Sequence, residues 1–307
     1  MRYATRRRML QVSAGLLGLG LGLSAPGARR LRWTGSALGA NASIDLAGVE
    51  PGPARALIER TLAEIDRLES IFSLQRSGSA LARLNREGQL ADPPLELVSV
   101  LRLAAEVSNL SGGAFDITVQ PLWRLYAEAA AKGMVPGARM LERVRSLIGW
   151  QDVEVSPRRI ALRRPGASVT LNGIAQGFIS DRVAELLRDA GLDNVYVSLG
   201  EQRATGAGPA ELGWTVQTPF GQVELRNAAL AVSAASPEGT VQDLNVPNLI
   251  SAISGLPVTS GPPVVVTAPT AVIADAMATA LAVAPPLEVS ALIERMRTVR
   301  AVAMSPT

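Results

Sequence analysis

The sequence predicts an α+β fold: a single compact domain with helices first, then a mixed sheet with packed helices. Two observations carry that reading, the order of the apolar periodicities along the chain and the lack of regular strand–helix–strand alternation. A third, the absence of any internal repeat or linker-like stretch in 307 residues, favours one domain over two. Ala42-Ser43-Ile44-Asp45-Leu46 alternates as a short strand. Pro53 opens a helix whose apolar positions Leu57, Ile58, Leu62, Ile65, Leu68 and Phe72 keep to one face at spacings of three and four. Residues 95–107 and 122–131 read as further helices, and Pro136-Gly137 breaks the chain before another that ends near Gly149. From Trp150 the period shortens to strand-like runs at 153–155, 159–162 and 169–171. Ile179, Val183, Leu186, Leu187 and Ala190 then mark a helix stopped by Gly191. Strands follow at 195–199, 214–217, 223–225 and 230–232. After Pro262-Pro263 come a strand at 264–267, a helix from Thr270 and a last helix over 287–296.

Composition narrows the chemistry. With 48% hydrophobic and 19% charged residues the chain is globular, and it contains neither Cys nor His. The first absence excludes disulfides, iron–sulfur clusters, thiolate nucleophiles and a lipidated cysteine. The second removes the usual general base near neutral pH and all imidazole ligation. Chemistry must run on carboxylates, hydroxyls, amides, Arg and backbone, and a metal must be hard and oxygen-ligated. The 30 basic against 27 acidic residues include Arg2, Arg6, Arg7 and Arg8 in an acid-free start. Without them the balance is near neutral and no nucleic-acid partner is expected.

Residues 1–28 read as a cleavable export signal preceding a domain over 29–307. Thr5-Arg6-Arg7-Arg8-Met9-Leu10-Gln11 leads into an apolar run over 12–25 and small residues around Ala25-Pro26-Gly27-Ala28. Paired arginines before an apolar pair suggest the twin-arginine route, with an ordinary Sec signal as the alternative. At about 1.5 Å per residue the run is too short for about 30 Å of hydrocarbon, so a permanent membrane anchor is not expected. A periplasmic or other extracytoplasmic location is.

Three constellations could carry chemistry. In Ser111-Gly112-Gly113-Ala114-Phe115-Asp116-Ile117-Thr118, paired glycines allow close backbone approach to a ligand. The same residues also suit a helix terminator followed by an Asx-type cap. Leu171-Asn172-Gly173-Ile174-Ala175-Gln176-Gly177 joins an extended run to a helix, where free N–H groups favour phosphate, or it is a structural turn. Asp275 and Thr279 share one face of an otherwise apolar helix. They either grip a divalent cation such as Mg²⁺ or lie on a solvated stripe.

Taken together and in this order, these segments resemble the ApbE family, the FAD:protein FMN transferases. The markers are Ser36-Ala37-Leu38-Gly39-Ala40; Phe72-Ser73 with residues 79–85; Gly113-Ala114-Phe115-Asp116-Ile117-Thr118; residues 171–178 with Asp181-Arg182-Val183; Leu199-Gly200-Glu201; and Ala274-Asp275-Ala276 with Thr279. The resemblance implies an ApbE-like domain that takes FAD as substrate and Mg²⁺ as cofactor. It would transfer FMN to a Thr hydroxyl, in a D-G-x-T-like site of an exported or membrane redox protein, and release AMP. It assigns Asp275, Thr279 and the Gly173 carbonyl to the metal, with Leu38, Phe72, Ala114, Phe115, Asp116, Thr170, Gln176 and Asn248 at the flavin nucleotide. Asp275 and Asn248 take the catalytic positions. Departures are concentrated near the flavin: Asn248 stands for a His, Ser251 for the Asp of D-P-x-T-G, Gln176 for a Lys and Thr170 for an Asp. Asn cannot titrate, so a non-catalytic flavin carrier or assembly factor and an FAD pyrophosphatase are the competing functions.

Overall fold

The computed structural model describes residues 30–37, 40–47, 49–208, 213–235, 247–296 and 300–301. Residues 1–28 and Leu38 lie outside these. Two strands, β1 (Arg30–Ala37) and β2 (Ala40–Ala47), pair antiparallel over eight positions each and precede the helices. Then come α1 (Pro51–Phe72), α2 (Ala80–Glu87), β3 (Gln89–Ala91) and α3 (Leu95–Leu110). A 3-10 turn over Ile117–Val119 leads into α4 (Gln120–Ala130) and α5 (Ala138–Arg145). Strands β4 (Val153–Val155) and β5 (Arg159–Leu162) are followed by α6 (Ala175–Asp189), β6 (Val195–Ser198) and β7 (Gln202–Thr205). The chain continues through β8 (Trp214–Thr218), β9 (Gly221–Leu225), β10 (Ala228–Ser233) and β11 (Val264–Ala268). It closes with α7 (Ala271–Val283), α8 (Pro286–Arg295) and β12 (Arg300–Ala301).

The α+β expectation holds, with all described strand pairings antiparallel. One seven-stranded sheet runs β1-β2-β6-β7-β10-β11-β12, and β3-β5-β4 and β8-β9 form two small ones. Alternation sets the faces. Ile44, Leu46, Val195, Val197, Val264 and Val266 turn inward against α1, α6 and α7, where Leu68, Ile179, Val183, Leu187 and Met277 complete the main core. The hairpin β8–β9 covers part of the opposite face through Trp214, Val216 and Leu225 over Ala204, Leu230 and Val265. There Tyr196 stacks on Trp214 with ring centroids 5.6 Å apart. No described helix is long and apolar enough to cross a membrane.

Three local differences from the sequence reading have identifiable causes. Residues 169–171 alternate like a strand but pair with none. Val169 instead exchanges two hydrogen bonds with the Asn85 side chain, at 2.7 and 2.8 Å, and the Thr170 N–H donates to the Ile117 carbonyl at 2.8 Å. Helix α2 was not anticipated as an element, although Ser79 caps it by accepting the Ala82 N–H and Gly88 ends it in the left-handed region. Strands β1, β3 and β7 were not anticipated either. Each is short or weakly alternating, and it is formed by its neighbours rather than by its own pattern.

Candidate active site

The site is organised by the contact between α6 and α7. At Gly177 an added Cβ would lie 2.3 Å from the Ala271 carbonyl oxygen, so only glycine lets the two backbones approach this closely. Asp181 on α6 accepts the Ala271 and Val272 N–H groups at 2.8 and 2.9 Å, capping α7 from outside, and Arg203 on β7 pairs with it at 3.1 Å. These contacts fix where α7 presents Asp275 and Thr279.

Asp275 is 4% exposed among Ala274, Ala276, Met277 and Ala278, and its Oδ2 accepts the Gly177 N–H at 3.0 Å. Burial pushes its pKa up to about 7, and the Gly177 N–H offsets this only in part. The solvated-stripe reading is therefore excluded, and the desolvation cost that a cation would relieve is present. One turn along α7, Thr279 Oγ1 sits against Gly173: a Cβ there would be 2.8 Å from it. The Thr279 hydroxyl and a backbone segment thus meet because position 173 carries no side chain.

Glu201 in the turn between β6 and β7 was read only as a marker, not as a site residue. It is buried, and its Oε2 has no hydrogen-bond partner. Burial first, and then the charge of Asp275, push its pKa well above the carboxylate range, against a smaller lowering by the Val232 backbone N–H. The sequence signal was a single Gly-Glu pair ending a strand, too short to reveal burial. No cluster of three or more His, Cys, Asp or Glu exists among the described residues, so a metal here would rely on carboxylates together with neutral oxygens.

A cavity of about 490 Å³ joins these parts. Ala114, Phe115, Asp116, Thr170, Gly173, Gln176, Asn248, Asp275 and Thr279 all line it, together with Glu201, Asn172 and apolar Ile117, Trp123, Leu249, Ile250 and Val283. Phe72, by contrast, is not among its lining residues. It is buried in the main core and meets Phe178 edge-on with ring centroids 5.5 Å apart. Leu38 lies outside the described residues.

Asp116 has a dual position. Its Oδ1 accepts the Thr118 N–H and hydroxyl at 2.7 and 2.6 Å, and Oδ2 accepts the Trp150 N–H at 3.2 Å. The Asx-cap reading of residues 111–118 is thus correct for the backbone, while the same loop also presents Ala114 and Phe115 to the cavity. Burial raises the Asp116 pKa, and the Thr118 and Trp150 donors oppose that rise. Four N–H groups of the turn over 171–177 are already engaged within the fold. The N–H groups of Asn172, Ile174, Ala175 and Gly177 donate to Thr170 Oγ1, the Leu171 carbonyl (twice) and Asp275. What it offers a ligand is the Gly173 backbone and the side chains of Gln176 and Asn172. Asn248 donates from Nδ2 to the Ala234 carbonyl at 2.8 Å, which orients its amide at the rim.

Comparison with known proteins gives a consistent picture. A model of the ApbE family matches residues 38–303. An FAD:protein FMN transferase of Vibrio cholerae is 29% identical over 188 residues, covering 58% of this chain and 55% of that protein. One of Klebsiella pneumoniae is 27% identical over 174 residues, covering 54% and 50%. The chain thus spans about half the length of the curated relatives it matches. Among solved structures, the apo flavinyl transferase ApbE of Pseudomonas stutzeri superposes with a TM-score of 0.78 at 24% identity, covering 90% of this chain and 93% of that one. The flavin transferase ApbE of Vibrio cholerae gives 0.75 at 22%, covering 89% and 93%.

Proposed function

The chain belongs to the ApbE family, and from that premise we propose that it is a flavin transferase. In this reading it takes FAD as substrate, moves FMN to a Thr hydroxyl of an exported or membrane redox protein, releases AMP and depends on Mg²⁺. The observation that carries the reading is the single cavity lined by Asp275, Thr279 and Gly173 together with Phe115 and Gln176. The donor set fits the ion. A buried carboxylate, a hydroxyl and a carbonyl close by are all oxygens, and the site has no nitrogen or sulfur ligand that would favour zinc or copper. When bound, Mg²⁺ would neutralise charge developing on the phosphoryl oxygens.

The remaining work falls to this chain's own residues. Phe115, Trp123, Leu249 and Val283 give the cavity the apolar surface a flat ring system needs, and Gln176 and Asn172 give it polar donors. In the transfer, the acceptor hydroxyl oxygen forms a bond to the FMN phosphorus, the bond from that phosphorus to the AMP oxygen breaks, and AMP leaves with the electron pair. Holding the hydroxyl in line with that bond is the main contribution a protein can make. The chain has no imidazole, and among the described residues that line the cavity the side chains able to take the hydroxyl proton are carboxylates. Asn248, bonded to Ala234, orients but does not titrate.

Incubating the protein with FAD, Mg²⁺ and a Thr-bearing acceptor should leave flavin fluorescence on the acceptor in a denaturing gel, with AMP in solution. No covalent flavin beside an active relative overturns the reading. The Asn at position 248 favours one second reading, a flavin carrier, which tight FAD binding without AMP release would select. Free FMN and AMP without acceptor would instead select hydrolysis. Export by the twin-arginine route and an extracytoplasmic location belong to the same proposal, supported by the paired arginines and apolar run of residues 5–25.

A further inference from the structure

Among the described residues three carboxylates line the cavity, those of Asp116, Glu201 and Asp275, and no Lys or Arg does. Their needs differ. Asp116 is satisfied by three donors. Asp275 has the Gly177 N–H. Glu201 is 8% exposed and its Oε2 accepts from no described residue. An anionic oxygen buried without a donor costs several kcal/mol, and such groups are retained where a cation or a donor arrives from elsewhere. The described residues offer no side-chain cation to the cavity, and the turn holding Glu201 is not free to swing away. At Gly200, with φ +104°, a Cβ would lie 2.7 Å from the Gln176 side chain, and the Ser180 hydroxyl donates to the Glu201 carbonyl at 3.4 Å.

We propose that Glu201 is a further protein oxygen donor to the divalent ion, the second carboxylate of a centre otherwise made by Asp275, Thr279 and Gly173. The inference rests on the metal reading above and deepens it. Asp275 alone brings one negative charge to a doubly charged ion, and Glu201 brings the second. Hard divalent ions prefer such a charged all-oxygen set, completed by substrate phosphates and water.

The test is Mn²⁺ binding, followed by the electron paramagnetic resonance signal of the free ion, on the metal-free protein and again with saturating FAD. Glu201→Gln should weaken Mn²⁺ by at least about tenfold, the lower end of what removing even an outer-shell partner costs a metal site. Its melting temperature without metal should be unchanged or higher, because the variant is of the same size and the replaced Oε2 has no partner to lose among the described residues. Wild-type affinity in Glu201→Gln, alongside loss of binding in Asp275→Asn, overturns the role of Glu201 and leaves the metal centre standing. No Mn²⁺ binding by the wild-type protein in either form overturns both. Should Glu201→Gln fail to fold, Glu201→Asp decides: its shorter carboxylate should bind Mn²⁺ several-fold more weakly, and unchanged affinity overturns the proposal.

Discussion

The α6–α7 wall of the cavity and the segment 247–258 that completes its lining differ in what fixes them. The wall is held by close backbone packing at Gly177, by the Asp181 cap with its Arg203 partner, and by burial of nearly every α7 side chain. The segment rests on an isolated bridge, Ile250 to Pro257, on the burial of Leu249 and Ile250, and on a few reaching side chains. Tyr126 donates to the Gly255 carbonyl at 3.0 Å, and Arg145 to the Ile253 carbonyl at 2.8 Å. By the resemblance, departures from the family pattern fall at Asn248 and Ser251 in the second region and at Gln176 in the first, where Asp275 and Thr279 match it. At Gly177 the wall leaves no room for a side chain, whereas Gln176 on the same helix faces the cavity, as Asn248 does.

The sharpest way to break that contrast is Asp275→Asn. It keeps the size and should still accept the Gly177 N–H, but it removes the charge. Mg²⁺-dependent FMN transfer should fall to background while the fold survives, and an active variant would undo the assignment of the wall. On the loop side, Asn248→His should raise the transfer rate, by up to about 10²-fold if the imidazole reaches the reacting hydroxyl. No change would mean that position 248 is remote from the chemistry.

The wall should also betray itself through pH. Burial holds Asp275 at about 7 against 3.8 in the unfolded chain, so the native state binds this proton more tightly. Its contribution to stability is complete below about pH 4 and is lost as pH rises through about 7. Glu201, also raised, acts in the same direction. The metal-free protein should therefore melt lower at pH 8 than at pH 5, with a smaller difference in Asp275→Asn. An identical difference in the variant would contradict the burial argument.

Smaller effects complete the comparison. Gly177→Ala forces a methyl onto the Ala271 carbonyl and should cost about 1–3 kcal/mol in denaturant unfolding, with weaker metal binding. Tyr126→Phe frees the Gly255 carbonyl in the loop and should cost about 0.5–1.5 kcal/mol without touching the metal. Equal losses of metal affinity in both variants would erase the distinction between the two regions.

The contrast also explains what could be read from the chain. Asp275 and Thr279 were legible because a helical period fixes which residues share a face and because an acid among alanines needs a reason. The long helices α1, α3, α6 and α7 were legible for the same cause. Glu201 was not, since its burial depends on β10 and α7, both remote in sequence. Residues 169–171 misled because alternation cannot tell a sheet partner from the Asn85 amide. Phe72 was assigned to the flavin by resemblance alone, and its ring sits instead in the core against Phe178.

The Asp181 carboxylate, tied at once to α6, to the first amides of α7 and to Arg203, has one more consequence. A helix start pinned in this way cannot fray from its end independently. Amide protons in the first turn of α7 should then exchange with deuterium only through unfolding of the whole domain, as slowly as those of the central strands. The proposed ion site would have no private route to loosening.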